Sequence, residues 1–147
     1  MSSISQHVED AVGLFDLALS FAGDAEAVAE TMAQIAAFHG LACYHYRHHL
    51  ISQSGLDIME VMRFVYRLTE RVVVLNSKAY GGSVSTRLEI ETLSNAPPGK
   101  QLFLVDMGGV ELHFPMHNVV RHSGLGSEVA MSIVEAASPL RPGRVLP

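Results

Sequence analysis

Apolar positions recur at helical spacing over residues 7–22, HVEDAVGLFDLALSFA, where Val8, Val12, Phe15, Leu19 and Ala22 share a face with Ala11 and Ala18 beside them. The spacing predicts an amphipathic helix that Gly23 ends. Asp24 is placed to cap a second helix, because its carboxylate can accept a bond from the open amides of the next turn. Val28, Met32, Ile35, Ala36 and His39 form the stripe of that helix, and Gly40 supplies its stop.

From Leu41 the period changes to two. Ala42, Tyr44, Tyr46 and His48 fall on one face of a strand, and Cys43, His45, Arg47 and His49 on the other, where the histidines beside Arg47 are expected to meet solvent or a partner. After a turn at residues 52–55, the segment DIMEVMRFVYRLTERVVV carries Ile58, Val61, Met62, Val65, Leu68 and Val72 on one helical face. Its end, VVVL, reads equally as a short strand or a buried helical turn. Gly81 and Gly82 break the chain, and SVSTRLEIETL then alternates in part, with Val84, Leu88 and Ile90 set against Arg87, Glu89 and Glu91, which predicts a strand. NAPPGK is a loop, QLFLVD a buried strand, Met107 to Gly109 a tight turn and VELHF the returning strand of a hairpin. VAMSIVEAA suits a last strand, and the tail over residues 139–147, rich in proline and arginine, reads as flexible.

Composition narrows the function. The hydrophobic fraction is 48%, the charged fraction 17% and the formal net charge −5. A scattered minority of cations does not make the clustered face that a phosphate backbone needs, so direct nucleic-acid binding is not expected. A single cysteine cannot form an internal disulfide, no run reaches the length of a membrane span, and no basic and then apolar leader opens the chain. These features point to a cytoplasmic protein with no membrane attachment and no cofactor.

Three groups of residues carry candidate chemistry. Cys43, His45 and His49 share a strand face and could lean toward one metal ion, with His113, His117 or His122 completing the set; no HExxH or CxxC pattern accompanies them. A nucleophile can be written as Cys43 or Ser132 with His113 or His117, without a recognisable elbow around it, so an enzyme is the lesser expectation. Tyr44 and Tyr46 on the strand and Phe64 and Tyr66 on the following helix either line a pocket for an amphiphile or cement strand to helix.

The run AVAETMAQIAAFHGLACYHYRHH, the aromatic helix MRFVYRLTERVVVLNSKAY, HFPMHN and GSEVAMSIVEAASP together resemble, over residues 8–139, the autoinducer-binding domain of LuxR-type quorum-sensing regulators. The resemblance implies an α+β fold: an α/β/α sandwich whose central, mainly antiparallel sheet of about five strands has helices on both faces. It implies one ligand-binding domain over residues 1–138, taking an acyl-homoserine lactone or a similar amphiphile. Tyr44 or Tyr46 would bond the ligand's polar head, Glu70 would accept its N–H, and Met62, Tyr66, Phe103 and Met131 would wall the acyl chain. The chain departs from the family in having no tryptophan and in placing Arg71 after the acid. It also ends where a helix-turn-helix domain would follow, so regulation would run through a homodimer or a heterodimer with a related regulator. LFLVDMGGVELHFP also resembles the Asp-x-Ser-x-x-Gly strand of cyclic-di-GMP-binding PilZ domains, without its serine or an upstream Arg-x-x-x-Arg.

Overall fold

A computed structural model describes residues 15–45, 65–67, 69–82, 84–95, 100–112, 114 and 118–137. The predicted helix over residues 7–22 is corrected first: its second half holds the strand β1, Leu17–Ser20. All four residues of the strand are fully buried. An apolar run covered on both faces needs no alternation, and FDLALS satisfies a central parallel strand as well as it satisfies a helix stripe.

A turn of 3-10 helix, Gly23–Ala25, leads into α1, Glu26–Phe38. Ala29, Met32, Ala33 and Ala36 form its buried stripe, and the small side chains let the helix lie close to the sheet. Gly40 adopts a φ of 78°, while the N–H groups of Leu41 and Gly40 donate to the carbonyls of Ala36 and Ala37 at 2.9 and 3.0 Å. That closes the helix as expected. Asp24 does not cap it; the N-cap is Ala25, with no side-chain bond.

The strands that follow are β2, Cys43–Tyr44; β3, Arg71–Ser77; β4, Gln101–Met107; and β5, Val119–Ser123. They form one sheet in the order β2-β1-β3-β4-β5. Every strand pairing is parallel, including the seven-residue register from Arg71 against Gln101 to Ser77 against Met107. The mainly antiparallel sheet is therefore overturned. Two misassigned segments account for it. SVSTRLEIETL is not a strand but holds the helix α2, Val84–Ser94, and VAMSIVEAA is not a strand but lies in the helix α3, Ser127–Ala137.

In α3 the buried residues Ala130, Ile133, Val134 and Ala137 recur at helical spacing despite the β-branched content. In α2 the buried stripe holds Thr86, Glu89, Thr92 and Leu93, so its polar members hide the period of 3.6. The expected hairpin is not formed by the described residues. Gly108 turns the chain at a φ of 91°, but residues 110–112 are irregular, and the chain returns as β5 alongside β4 in the same direction. Gly109 is required here, because a Cβ would collide with both Asn76 Oδ1 and the Ser77 carbonyl.

Two cores result, one on each face. Leu17, Leu19, Phe21, Val73, Leu75, Phe103 and Val105 pack against α1 and α3. Ala18, Val72, Val74, Leu102 and Leu104 pack on the other face against Tyr44, Tyr66, Tyr80 and Leu93. The tail over residues 139–147 and most of the helix expected from Asp57 lie outside the described residues. No helix among the described residues is long and apolar enough to cross a membrane.

Candidate functional site

In an open parallel sheet the ligand crevice lies beyond the carboxyl ends of the strands, where successive connections leave in opposite directions. Here that point falls between β1 and β3. Strand alternation sends Ser20, the last residue of β1, to the α2 face together with Ala18. Its Oγ lies 2.5 Å from the Tyr80 hydroxyl, on the loop after β3. The Tyr66 hydroxyl donates to the Leu19 carbonyl in the same region.

Glu89 enters this group from α2. Its side chain is only 2% exposed, and neither carboxyl oxygen has a hydrogen-bond partner among the described residues. Burial pushes its pKa from the ordinary 4.5 up to about 8, a rise that the nearby Tyr66 and Ser20 hydroxyls partly offset. Burial also raises Tyr66 and Tyr80, and the Glu89 charge adds to both shifts. The carboxyl thus favours its protonated form near neutral pH, beside the Tyr66 and Ser20 hydroxyls that favour its charged form.

Asp24, on the turn after β1, reaches across to the end of β3. Its Oδ1 accepts from the Ser77 Oγ at 2.6 Å and its Oδ2 from the Ala79 N–H at 3.1 Å. The loop after β1 is thereby tied to the loop after β3.

The residues expected to bind an amphiphile do not gather in one place. Tyr44 and Tyr66 do meet, edge to face with ring centres 6.0 Å apart, and Phe15 lies against Tyr44 at 5.3 Å. Both tyrosines are fully buried, and in the described residues they cement β2 to the segment before β3. Phe103 and Met131 lie on the opposite face of the sheet, Phe103 in the core and Met131 on α3, where it borders an apolar groove. Glu70 is exposed at the amino end of β3, and its carbonyl accepts from the Gln101 N–H at 2.8 Å. Tyr46 and Met62 lie outside the described residues.

The strand at Cys43 forms as expected, but His45 does not meet solvent. It is 1% exposed, with its ring 4.8 Å from Phe21 and its Nε2 3.6 Å from Glu30 Oε2. Burial, with Asp16 adding to it, pushes the Cys43 thiol up to about 12, so the free thiol is a poor nucleophile. His122 stacks on Phe103 at 6.5 Å, and His49, His113 and His117 lie outside the described residues. Among the described residues no group of three His, Cys, Asp or Glu could hold a metal ion.

The sequence reading does not single out Glu89, Ser20, Tyr80 or Asp24 as site residues. A signal for Glu89 is nonetheless present: Thr86, Glu89 and Leu93 stand at i, i+3 and i+7, so a carboxyl occupies a position of the buried stripe. The fold and site define a doubly wound parallel α/β domain with a buried acid, unpaired among the described residues, at its switch point. Comparison of the chain with protein-family models, curated proteins and solved structures finds no match to any of them.

Proposed function

We propose that the domain binds a small polar molecule at the carboxyl ends of β1 and β3, with Glu89 as the group that bonds it and exchanges protons with it. The observation that carries this reading is the Glu89 carboxyl, buried and without a hydrogen bond among the described residues. A buried carboxyl left unpaired costs free energy, and folds keep such groups mainly where a ligand or a reaction uses them. A pKa of about 8 lets it serve as a general acid at neutral pH and as a base just above it.

Open sheets of this winding commonly take nucleotides and related ring compounds at the same point, an analogy of fold that directs the choice of probes. A thermal-shift panel of nucleosides, nucleotides, sugars and acyl-homoserine lactones, with mass spectrometry for turnover, tests the reading. A stabilising compound whose effect disappears in Glu89→Gln is the expected result. Stabilisation that is equal in wild type and Glu89→Gln would move the site elsewhere.

A second reading, an interaction module working through a partner chain, is supported by Phe38. Its ring is 84% exposed at the end of α1 and borders the groove that α1 and α3 share through Ile35 and Met131. Self-association measured by light scattering, and its loss in Phe38→Ser, would favour that reading.

A further inference from the structure

We propose that residues 78–82 form a lid over Glu89 and that Asp24 is the clasp that holds it shut. The inference rests on reading the carboxyl ends of β1 and β3 as the ligand site. In the loop that follows β3, Lys78 and Ala79 are exposed, whereas Tyr80 turns inward and is 6% exposed. It is an aromatic plug in an otherwise solvated segment.

Three polar contacts hold the closed arrangement, and all three cross from the end of β1 to the end of β3. Asp24 takes the Ser77 hydroxyl at 2.6 Å and the Ala79 N–H at 3.1 Å, and Ser20 meets the Tyr80 hydroxyl at 2.5 Å. Behind the plug, Gly81 has a φ of +85° and gives its N–H to Thr86 Oγ1 at 3.0 Å, so the lid joins α2 through a left-handed glycine followed by Gly82. A glycine pair at one end of a short loop is a suitable hinge, since it tolerates backbone changes that other residues resist.

The balance between closed and open is set by unequal partners. Asp24 is exposed, so water competes for both of its bonds. Glu89 is buried without a bond among the described residues, and opening would return its carboxyl to solvent or to a ligand donor. Release of the clasp is therefore the step that admits a ligand, with Asp24 as a positioning residue that touches the lid and not the reacting atoms.

The test needs no ligand. The whole chain is treated at mildly acidic pH with a water-soluble carbodiimide and an amine, and labelling of Glu89 is read by peptide mass spectrometry against Glu91, its exposed neighbour on α2. In wild type Glu89 should label far more slowly than Glu91. In Asp24→Ala, which removes both bonds of the clasp, the ratio should rise by about tenfold, and in Ser77→Ala, which removes one of them, by less. An unchanged ratio in both variants, each folded by circular dichroism, would overturn the lid. Should Asp24→Ala not fold, Ser77→Ala decides alone. Because the rates are measured on the free protein, a failed ligand panel and a failed clasp give separate results.

Discussion

The two faces of the sheet are built to different rules. On the α1 face Leu17, Leu19, Phe21, Val73, Leu75, Phe103 and Val105 meet alanines, Met32 and Ile133 in a core of hydrocarbon, with the His45 and His122 rings against Phe21 and Phe103 at its edges. On the α2 face, one strand position over, Ser20, Tyr66, Tyr80 and Glu89 bring hydroxyls and a carboxyl to the same depth. Burial of apolar side chains stabilises the first face at roughly 25 cal/mol per Å². The second gives up part of that gain for buried groups that carry or share protons. The cost falls at the point between β1 and β3 where the winding of the sheet reverses, the place at which open parallel sheets take their ligands.

The sharpest way to break the comparison is to change pH. In the unfolded chain the Glu89 carboxyl titrates near 4.5, and in the fold at about 8. Between those values the folded state keeps a proton that the unfolded state has released, so stability falls as pH rises through that window. At about 1.4 kcal/mol per pH unit the loss between pH 5 and pH 8.5 is on the order of 4 kcal/mol. Urea unfolding of wild type and Glu89→Gln should give a difference that changes by that order across the same range, with wild type losing ground. Parallel pH profiles would mean that the carboxyl is not buried among the tyrosines.

The hydrocarbon face should answer differently. Leu75 is fully buried there, and Leu75→Ala should cost about 3 kcal/mol through lost burial and a residual cavity. The same loss should appear at pH 5 and pH 8.5, since the change removes hydrocarbon alone. A pH-dependent penalty would show that the two faces are coupled through the strands.

Ser20→Ala is a smaller perturbation and acts on the polar face alone. It removes the partner of the Tyr80 hydroxyl and should cost about 1–2 kcal/mol, as expected for a buried donor or acceptor left unpaired. It also removes one of the two hydroxyls that oppose the rise of Glu89, so the carboxyl should titrate higher still. Carbon-detected NMR of the Glu side chains measures that titration. A fall in the Glu89 pKa would contradict the arrangement.

The contrast between the faces also explains what the residues disclose. The α1 helix is legible because Val28, Met32, Ile35 and Ala36 keep the helical period and Gly40 stops it. QLFLVD is legible as β4 because a short apolar run has few alternatives. The α2 face is not. Thr86, Glu89 and Thr92 occupy its buried stripe, so a reading that equates buried with apolar finds a broken alternation and assigns a strand. That error produces the antiparallel sheet, because a strand after Gly82 demands a hairpin partner where a helix instead allows a parallel crossover. The candidate site is hidden by the same polar residues that compose it. Tyr44 and Tyr66 are legible as neighbours, but their aromatic character points to a lipid pocket and away from the carboxyl beside them.

The smallest effect is expected outside both faces, and it separates folding from association. Phe38 ends α1 with its ring 84% exposed and edge-on to His39 at 5.2 Å. A surface ring that buries so little contributes little to the fold, so Phe38→Ser should change unfolding free energy by under about 0.5 kcal/mol. Any larger effect that grows with protein concentration would locate the missing burial in a contact between chains, because only association makes apparent stability depend on concentration. Light scattering on the same samples should then show wild type heavier than Phe38→Ser. If both remain monomeric at equal stability, the exposed ring carries no contact between copies of this chain.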